Sequence, residues 1–273
     1  MDLSLSTDWH PLLTRWQLTV DGEAFATAGS RLLPVLWQGR PAMLKRALTP
    51  EEQSGGVLMQ WWNGDGAAYV YAHHDDTILM ERATGPGDLF AMAMEGRDDE
   101  ASRILCATLA RLHAPRAAPP PTHLVPLRPW FRSLETAAGS DVRFHRAWNT
   151  AQALLDDPRD PVILHGDMHH RNVLDFGERG WLAIDPKCVT GERGFDYANL
   201  LTNPELPTVT RPDRFRRQFD VIAQAAQLEP RRLLRWVVAF AGLSAAWFLE
   251  DGDDDGIASD FAVADLAQAM LDG

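Results

Sequence analysis

Two carboxylates and one amide stand at the ends of short apolar segments. The apolar residues 162–164 lead into His165-Gly166-Asp167, and Asn172 follows five positions after Asp167. A second apolar segment, residues 181–184, ends at Asp185. Mg²⁺ prefers hard oxygen ligands and usually takes one or two from protein carboxylates, with phosphates and water supplying the rest. We therefore predict that Asn172 and Asp185 hold a divalent metal beside phosphate, which leaves Asp167 as a base for a hydroxyl nucleophile.

The spacing of these residues resembles the catalytic loop of protein kinases, in which the aspartate is the base and an asparagine five positions later binds metal. Two positions depart from that pattern, because Gly166 replaces the usual arginine and Asp185-Pro186-Lys187 replaces Asp-Phe-Gly. With these departures the chain is similar to the aminoglycoside phosphotransferase family. Residues 179–192 and 194–204 further resemble its streptomycin 6-kinase and hydroxyurea kinase branch. The resemblance covers most of the C-terminal two-thirds of the chain and is thin before Lys45.

The resemblance implies a bilobal protein-kinase-like fold of the α+β class. The N-terminal lobe, residues 1–83, would bind the nucleotide and contain a five-stranded antiparallel sheet plus one helix. The C-terminal lobe, residues 84–273, would be larger and mainly helical, with the catalytic loop and the acceptor site. ATP and Mg²⁺ are the implied cofactors, and the implied reaction is phosphoryl transfer to a hydroxyl group. In this reaction Asp167 orients and deprotonates the hydroxyl, while Mg²⁺ bridges the phosphates.

Lys45 lies inside an apolar segment, where an ammonium group is costly unless it is paired. The resemblance implies that Lys45 contacts the α- and β-phosphates of ATP and pairs with a glutamate on the following helix. Thr49 as N-cap and Pro50 at the first helical position predict where that helix begins. Glu52 is the expected partner of Lys45, with Glu51 as the alternative. Both glutamates would also suit the positive end of the helix dipole, and a solvated edge lysine is the simpler interpretation of Lys45.

Five residues are further assigned to the site by their positions relative to these motifs. Ser30 lies in a loop that would cover the nucleotide phosphates, although the loop lacks a Gly-x-Gly-x-x-Gly pattern. Glu81 and Ala83 fall at the expected hinge, where adenine would bond to backbone groups. The resemblance gives Asp196, together with His165, a structural role, in which Asp196 accepts backbone hydrogen bonds from the catalytic loop. A plain helix N-cap is the alternative for Asp196.

Three more polar side chains lie beside the motifs. His169 and His170 are interpreted as loop residues that hydrogen-bond to the backbone. Lys187 follows Asp185 and either balances its charge, touches phosphate or is an exposed loop lysine.

The acidic run at residues 250–255 is predicted to be a loop, and it follows helices that build the acceptor pocket in the family which the chain resembles. Its spacing is not that of an EF-hand, which needs a glutamate at the twelfth position. Such a run is either simply solvated or meets guanidinium and ammonium groups of an acceptor. Four residues are accordingly predicted to contact the acceptor: Glu192, Trp247, Glu250 and Asp251.

The composition is that of a soluble globular protein, since 45% of the 273 residues are hydrophobic and 23% are charged. The net charge of −12 argues against nucleic-acid binding, which needs a basic surface. It fits a small cationic acceptor drawn to an acidic cleft, although solubility alone explains the same charge. Cys106 and Cys188 lie far apart, which predicts a reducing compartment without disulfides. No signal peptide and no membrane contact are expected, so a cytoplasmic location is predicted.

The remaining pattern predicts the elements that must position the site. Alternating or apolar segments predict five strands for the small lobe, at residues 16–20, 31–37, 41–47, 66–72 and 77–81. After Asp88, which is suited to cap a helix, the hydrophobic period becomes helical. Helices are predicted from residue 89 and at residues 101–113, 129–138, 142–155, 212–228, 230–249 and 257–271. The helix at residues 230–249 is apolar nearly all round and should be buried.

Three classes of function are compatible with parts of this pattern. The first is a kinase that phosphorylates a streptomycin-like aminoglycoside, and a hydroxyurea, amino-sugar or other small-metabolite kinase would share its catalytic core. A nucleotide-binding pseudokinase that scaffolds a partner is disfavoured, because the chain retains Lys45, Asp167, Asn172 and Asp185. A metal-dependent hydrolase built on the His-rich loop would need a further ligand at metal-binding spacing.

Overall fold

The N-terminal part of the computed structural model is an antiparallel sheet. The structure describes residues 8–204 and 207–273, so residues 1–7, on which the signal-peptide expectation rests, lie outside the described residues. Six strands form the sheet: β1 Leu18–Val20, β2 Phe25–Ala26, β3 Ser30–Trp37, β4 Arg40–Ala47, β5 Val70–His74 and β6 Thr77–Glu81. Their order is β1-β3-β4-β6-β5, with β2 paired to β3.

The sheet has one strand more than the five predicted, and a helix precedes it. All five predicted strands form, although the fourth begins at Val70 rather than at residue 66. The additional strand, β2, consists of two exposed residues paired with β3. A strand this short has no hydrophobic periodicity from which it could be predicted. The helix α1 (His10–Arg15) was not predicted either. Trp9, its N-cap residue, belongs to the apolar cluster on one face of the sheet.

Successive residues of β4 point to opposite faces of the sheet. Ala42 and Leu44 are fully buried in the cluster that contains Trp9. Met43 alternates with them and packs against a second cluster on the other face. The register places Lys45, which shares the face of Met43, between Leu32 of β3 and Ile78 of β6.

The helix α2 (Pro50–Trp62) follows β4 and begins as predicted. The hydroxyl of Thr49 accepts a hydrogen bond from the backbone N–H of Glu52 at 3.3 Å, so Thr49 is the N-cap. Leu58 and Met59 bury the helix against the core. The helix ends at Asn63, whose φ of 50° lies in the left-handed region common at helix C-termini.

Helices dominate the chain after residue 88. Asp88 caps the first of them, as predicted, because its carboxylate accepts the backbone N–H groups of Phe90 and Ala91. The bounds are α3 Leu89–Met94, α4 Asp98–Leu112, α5 Leu127–Trp130, α6 Arg132–Ala137, α7 Val142–Asp156, α8 Gly194–Asn199, α9 Pro212–Ala226, α10 Pro230–Asp251 and α11 Asp254–Asp272. Short 3₁₀ turns lie at Gly177–Arg179 and Leu200–Thr202. The predicted helix at residues 129–138 is therefore two short helices, separated at Phe131.

The helix α10 is the centre of the helical part. It packs against α6, α7, α8 and α11 and is buried along most of its length. Within residues 8–204 and 207–273 it is the one helix long and apolar enough to cross a membrane, and 67% of its most apolar window is buried inside the protein. That burial agrees with the predicted core helix.

Two small sheets deliver the motif residues. In the first, β11 (Val189–Glu192) pairs antiparallel with β8 (Pro161–Leu164) and parallel with β7 (Val125–Pro126). In the second, β9 (Val173–Asp175) and β10 (Trp181–Ala183) form an antiparallel pair. The backbone N–H of Ala68 donates to the carbonyl of Ala183 at 2.9 Å, which ties this pair to the N-terminal part. Asp167 thus follows β8, and Asp185 follows β10.

The acidic run at residues 250–255 is not the loop that was predicted. Glu250 and Asp251 complete α10, and Gly252 adopts a φ of 73°. Asp253 is the N-cap of α11, where its carboxylate accepts the backbone N–H of Gly256 at 3.0 Å. Carboxylates in the first turn of a helix interact favourably with its dipole, which explains the two aspartates that follow the cap.

Candidate active site

The loop between β8 and β9 presents Asp167 in a backbone conformation that requires glycine at position 166. Gly166 has a φ of 84°, a region that favours glycine. A Cβ at this position would also lie 3.0 Å from the Cβ of Lys187 and 3.1 Å from a methyl carbon of Val189. The glycine in place of the kinase arginine therefore follows from local geometry.

Asp196 is fully buried and stabilises this loop through hydrogen bonds to its backbone. Its carboxylate accepts the backbone N–H groups of His165 and Gly166, each at 2.8 Å. The helix α8 begins at Gly194 with Arg193 as its N-cap residue, so the alternative interpretation of Asp196 as an N-cap is wrong. His113, which the sequence analysis missed, adds a third hydrogen bond from its Nε2 at 2.8 Å.

His165 links the two motif segments through both ring nitrogens. Its Nε2 donates to the carbonyl of Ile184 at 2.8 Å, and its Nδ1 accepts the backbone N–H of Asp167 at 3.3 Å. Complete burial lowers the pKa of His165, so the ring is neutral with its proton on Nε2. The indole of Trp62 stacks on it with ring centroids 6.4 Å apart. His165 therefore fixes Asp167 relative to the residue that precedes Asp185.

Asn172 lies against Asp167, as the five-residue spacing suggests. Its Nδ2 donates to the backbone carbonyl of Asp167 at 2.8 Å and to the carboxylate at 3.4 Å. With the amide nitrogen engaged, the amide oxygen is the group that remains for a cation. The side chain of Asp167 is 38% exposed, and His169 Nε2 lies 3.8 Å from its Oδ1. Burial lowers the pKa of His169, so this neighbour is neutral at neutral pH.

Lys45, Glu52, Asp185 and Lys187 form a cluster of alternating charge, which we call the Glu52 cluster. Lys45 Nζ lies 2.6 Å from Glu52 Oε2 and 2.6 Å from Asp185 Oδ1. Lys187 Nζ lies 2.7 Å from the other oxygen of Glu52. Burial opposes the ionisation of Glu52, but the charges and hydrogen bonds of the two lysines lower its pKa to about 2. The structure therefore selects Glu52, rather than Glu51, as the partner of Lys45.

Ser30 does not lie in an open loop over the cluster, contrary to the prediction. It is the first residue of β3, is 1% exposed, and its hydroxyl donates to Glu52 Oε2 at 3.2 Å. Its neighbour Gly29 accounts for this close approach, since a Cβ there would meet the side chain of Glu52 at 2.9 Å.

The residues of the predicted hinge border an apolar patch that the sequence analysis did not assign to the site. Glu81 ends β6, where its carboxylate accepts a hydrogen bond from Arg179 at 3.1 Å. Ala83 follows, and it is partly buried against one apolar cluster together with Met43, Leu174 and Ile184. Their positions in the sequence were a usable signal. Met43 stands two positions before Lys45, Leu174 two after Asn172 and Ile184 one before Asp185.

A cavity of about 680 Å³ opens beside Asp167. Trp130 and Trp247 meet edge to face on its helical wall, with ring centroids 6.0 Å apart. Its lining combines aromatic and charged side chains, among them Glu51, Trp130, Arg132, Asp167, Lys187, Trp247, Glu250 and Asp251. Three of the four predicted acceptor residues therefore share one cavity with Asp167, and the sequence analysis missed Trp130.

Glu192, the fourth predicted acceptor residue, is not part of this cavity. It is 4% exposed, and both oxygens of its carboxylate accept hydrogen bonds from Arg232 at 2.6 Å. Trp236 Nε1 and the backbone N–H of Arg159 complete the contacts at 2.7 and 2.9 Å. The prediction that Glu192 contacts the acceptor is therefore corrected to a buried structural contact between β11 and α10.

The donor set near Asp167 suits a hard cation. No group of three or more His, Cys, Asp or Glu residues able to hold a metal occurs within residues 8–204 and 207–273. Asn172 and Asp185 contribute one amide and one carboxylate, a set that matches Mg²⁺ when phosphate and water complete the coordination.

The comparisons with known proteins agree with this geometry. Residues 15–252 match the family model described as aminoglycoside/hydroxyurea antibiotic resistance kinase. The streptomycin 3″-kinase of Klebsiella pneumoniae is 50% identical over 267 residues, which cover 95% of this chain and 100% of the relative. The streptomycin 6-kinase of Streptomyces griseus is 32% identical, with 92% of this chain and 85% of the relative covered.

The fold is also that of a solved kinase structure. A thermostable mutant of aminoglycoside phosphotransferase APH(4)-Ia, in ternary complex with ADP and hygromycin B, superimposes with a TM-score of 0.66 at 12% identity. The match covers 96% of this chain and 98% of that chain. At this identity the likeness concerns the fold alone, and it confirms the predicted protein-kinase-like α+β architecture.

Proposed function

The chain belongs to the aminoglycoside/hydroxyurea antibiotic resistance kinase family, and from this premise we propose that it transfers the γ-phosphoryl group of ATP to the 3″ hydroxyl of streptomycin. The observation that carries the proposal is the position of Asp167, which borders the Glu52 cluster through Lys187 and opens into a large acidic and aromatic cavity. The 3″ position is chosen because the 50% identical relative is named for it.

Nucleotide binding would use the Glu52 cluster and the apolar patch at the hinge. Lys45 is held by Glu52 and would contact the non-transferred phosphates, as the equivalent lysine of a kinase does. Adenine would lie between Met43 on one side and Leu174 and Ile184 on the other, with hydrogen bonds to the backbone of residues 81–83. The predicted boundary between two lobes after Ala83, at the end of β6, belongs to this proposal.

Asp167 is the catalytic base in this proposal. Its carboxylate orients the acceptor hydroxyl and takes its proton, while Asn172 fixes the carboxylate through the 3.4 Å contact. Asp185 and the amide oxygen of Asn172 would hold Mg²⁺, which offsets charge on the phosphates when bound. His165 and Asp196 keep the loop in place, because phosphoryl transfer depends mainly on positioning and electrostatics.

The acceptor site would recognise the positive groups of streptomycin. Glu250 and Asp251 offer carboxylates for guanidinium groups, and Glu51 faces the same cavity from α2. Trp130 and Trp247 offer aromatic surfaces that attract cations. The overall charge of −12 would also raise the local concentration of a cationic acceptor.

A hydroxyurea kinase is the second candidate within the same family. The family description includes it, and its catalytic residues would be the same. The cavity of about 680 Å³ favours an acceptor of streptomycin size over a molecule as small as hydroxyurea. A cytoplasmic location, where ATP is available, is part of the proposal for either acceptor.

The experiment is turnover of Mg·ATP with streptomycin and, in parallel, hydroxyurea, followed by fragmentation mass spectrometry of each product. The proposal expects phosphate on the 3″ oxygen of streptomycin and little transfer to hydroxyurea. Phosphate on the 6 oxygen would contradict the assigned position, and transfer to hydroxyurea alone would favour the second candidate. Binding of Mg·ATP without transfer to either compound would favour a scaffold. An Asp167→Asn variant serves as the inactive control.

A further inference from the structure

Lys187 occupies a segment whose backbone is held in uncommon conformations. Asp185 and Cys188, on either side of it, have φ values of 59° and 57°, in the left-handed region that non-glycine residues rarely adopt. Such residues persist only where the surroundings fix them, and they cluster at functional sites.

Close packing on two sides fixes this segment. The backbone N–H of Lys187 donates to the carbonyl of His165 at 2.8 Å. On the other side the carbonyl of Pro186 lies against α2 at Gly55, where any Cβ would collide with it. Lys187 therefore stands between the first turns of α2 and the loop that carries Asp167.

The ammonium of Lys187 is the second positive group that contacts the carboxylate of Glu52, in addition to Lys45. Glu52 Oε1 lies 2.7 Å from Lys187 Nζ, while the other oxygen of Glu52 holds Lys45 at 2.6 Å. Glu51 lies further away, at 4.0 Å. The ordinary pKa of a lysine lies above 10, and this side chain is paired with a carboxylate, so it is an ammonium at neutral pH.

Three other basic side chains near Asp167 do not supply a positive charge at the same place. His169 is neutral for the reason given above. The guanidinium of Arg171 lies over the ring of Phe90, 3.9 Å from its centroid. Arg132 lines the cavity from α6, on the helical wall. Lys187, by contrast, both adjoins the Asp167 loop and belongs to the Glu52 cluster.

We propose that Lys187 is a further catalytic residue, whose ammonium exchanges Glu52 for an oxygen of the γ-phosphoryl group during transfer. This inference rests on the proposed function. The bond between the γ-phosphorus and the β,γ-bridging oxygen breaks, and a bond forms from the phosphorus to the acceptor oxygen. The acceptor proton goes to Asp167, and Lys187 keeps its proton throughout. A preorganised cation at the moving group stabilises the transition state more than the ground state.

The test compares nucleotides with and without the γ-phosphate. For Lys187→Met we expect kcat for streptomycin to fall by about 10²- to 10³-fold, the range for loss of one transition-state contact. Affinity for the ATP analogue AMP-PNP with Mg²⁺ should fall several-fold, whereas affinity for Mg·ADP should stay unchanged. Lys187→Arg, which keeps the charge, should recover part of kcat. Arg103→Met, which removes an exposed cation on α4, is the matched control and should leave every value unchanged.

Two outcomes would overturn the inference. One is an equal loss of ADP and AMP-PNP affinity, because it would mean that Lys187 only supports Glu52 and Lys45. The other is a kcat of Lys187→Met within about threefold of the parent, far from the expected range. If Lys187→Met does not fold, Lys187→Gln is used in the same comparison. The nucleotide comparison needs no acceptor, so it remains decisive even if streptomycin is not a substrate.

Discussion

Two glutamates of this protein, one partly buried and one buried, hold their positive partners in different ways. Glu52 divides its carboxylate between two ammonium groups, with Lys45 on one oxygen at 2.6 Å and Lys187 on the other at 2.7 Å. Glu192 directs both oxygens to one guanidinium, that of Arg232, at 2.6 Å each. Each arrangement joins two parts of the chain that are distant in sequence.

The difference lies in what the partners can do next. An ammonium on a flexible chain is a compact charge that can change partner, whereas a bidentate guanidinium is tied to one carboxylate geometry. Lys187 lines the cavity beside Asp167, and Glu192 lies outside that cavity. In our proposal the Glu52 cluster would exchange a partner for phosphate, while the pair of Glu192 and Arg232 would serve stability. Five variants test this division, from the largest expected effect to the smallest.

Asp167→Asn should remove catalysis while leaving the fold and nucleotide binding intact. The amide cannot take the acceptor proton, so we expect kcat to fall by about 10³-fold, within the usual range for loss of a general base. The dissociation constant of Mg·ATP should change little. Steady-state kinetics and calorimetric titration measure both quantities. Retained turnover would show that Asp167 is not the base. It would also weaken the proposal that the neighbouring Glu52 cluster serves catalysis.

Glu192→Gln should lower the stability of the fold while leaving substrate binding intact. It removes the nearer counter-charge of Arg232, whose side chain is 11% exposed, and leaves only the more exposed carboxylate of Asp157 at 3.6 Å. Breaking a buried ion pair from one side costs about 3 kcal/mol, which urea denaturation would show as a lower free energy of unfolding. Affinity for Mg·ATP and the KM for streptomycin should stay unchanged in the folded fraction. A raised KM with unchanged stability would instead return Glu192 to the acceptor site.

Asp185→Asn should weaken binding of Mg·ATP by about 10- to 100-fold, the usual effect of disturbing a metal site. Lys45 keeps Glu52 as its partner, so the loss should come from the metal rather than from the lysine. Titration of ATP in the presence of EDTA is the control, and there the variant should resemble the parent. An equal loss with and without Mg²⁺ would place the metal elsewhere.

The sequence predicted those parts of the site that depend on short-range order. Asp167 and Asn172 are joined by one loop, and Thr49 fixes the start of the helix that brings Glu52 to Lys45. Each of these relations spans ten residues or fewer, so local pattern was sufficient. The five longer strands and the core helix α10 were predicted for the same reason.

Contacts between distant segments could not be predicted in this way. His113 reaches Asp196 across 83 positions, and Lys187 reaches Glu52 across 135. Glu192 shows the converse error, because an acidic residue near a motif was assigned to the acceptor while its guanidinium partner lay 40 positions further on. The sequence shows charge and spacing, but which face of a helix meets which strand is decided by packing.

Asp260 extends the comparison to a buried carboxylate without a cation. It is 4% exposed, and within residues 8–204 and 207–273 its Oδ2 has no hydrogen-bond partner. Burial raises its pKa to about 7, against the small opposing effect of a hydrogen bond with Ser244. The folded protein therefore keeps a proton that the unfolded chain releases above pH 4, and stability falls as pH rises from about 4 to 7.

Asp260→Asn should raise stability by about 1 to 2 kcal/mol at pH 8, since the neutral amide has no charge to bury. At pH 4 the parent carboxyl is protonated in the folded state and about half ionised in the unfolded chain, so the difference should be much smaller. Urea denaturation of both proteins at the two pH values measures this. A gain of equal size at both pH values would show that packing, rather than protonation, is responsible.

The smallest effect is expected for Glu250 and Asp251, whose carboxylates line the cavity beside Asp167 and are open to solvent. Glu250→Gln with Asp251→Asn should raise the KM for streptomycin about fivefold, since exposed ion pairs contribute about 1 kcal/mol. The matched control is Asp254→Asn with Asp255→Asn, which removes the same charge from the same acidic run but outside the cavity. If both pairs raise KM equally, net charge rather than contact attracts the acceptor. A higher KM in the first pair alone would show that the acceptor binds at the end of α10. Asp254 and Asp255 would then only stabilise the N-terminus of α11.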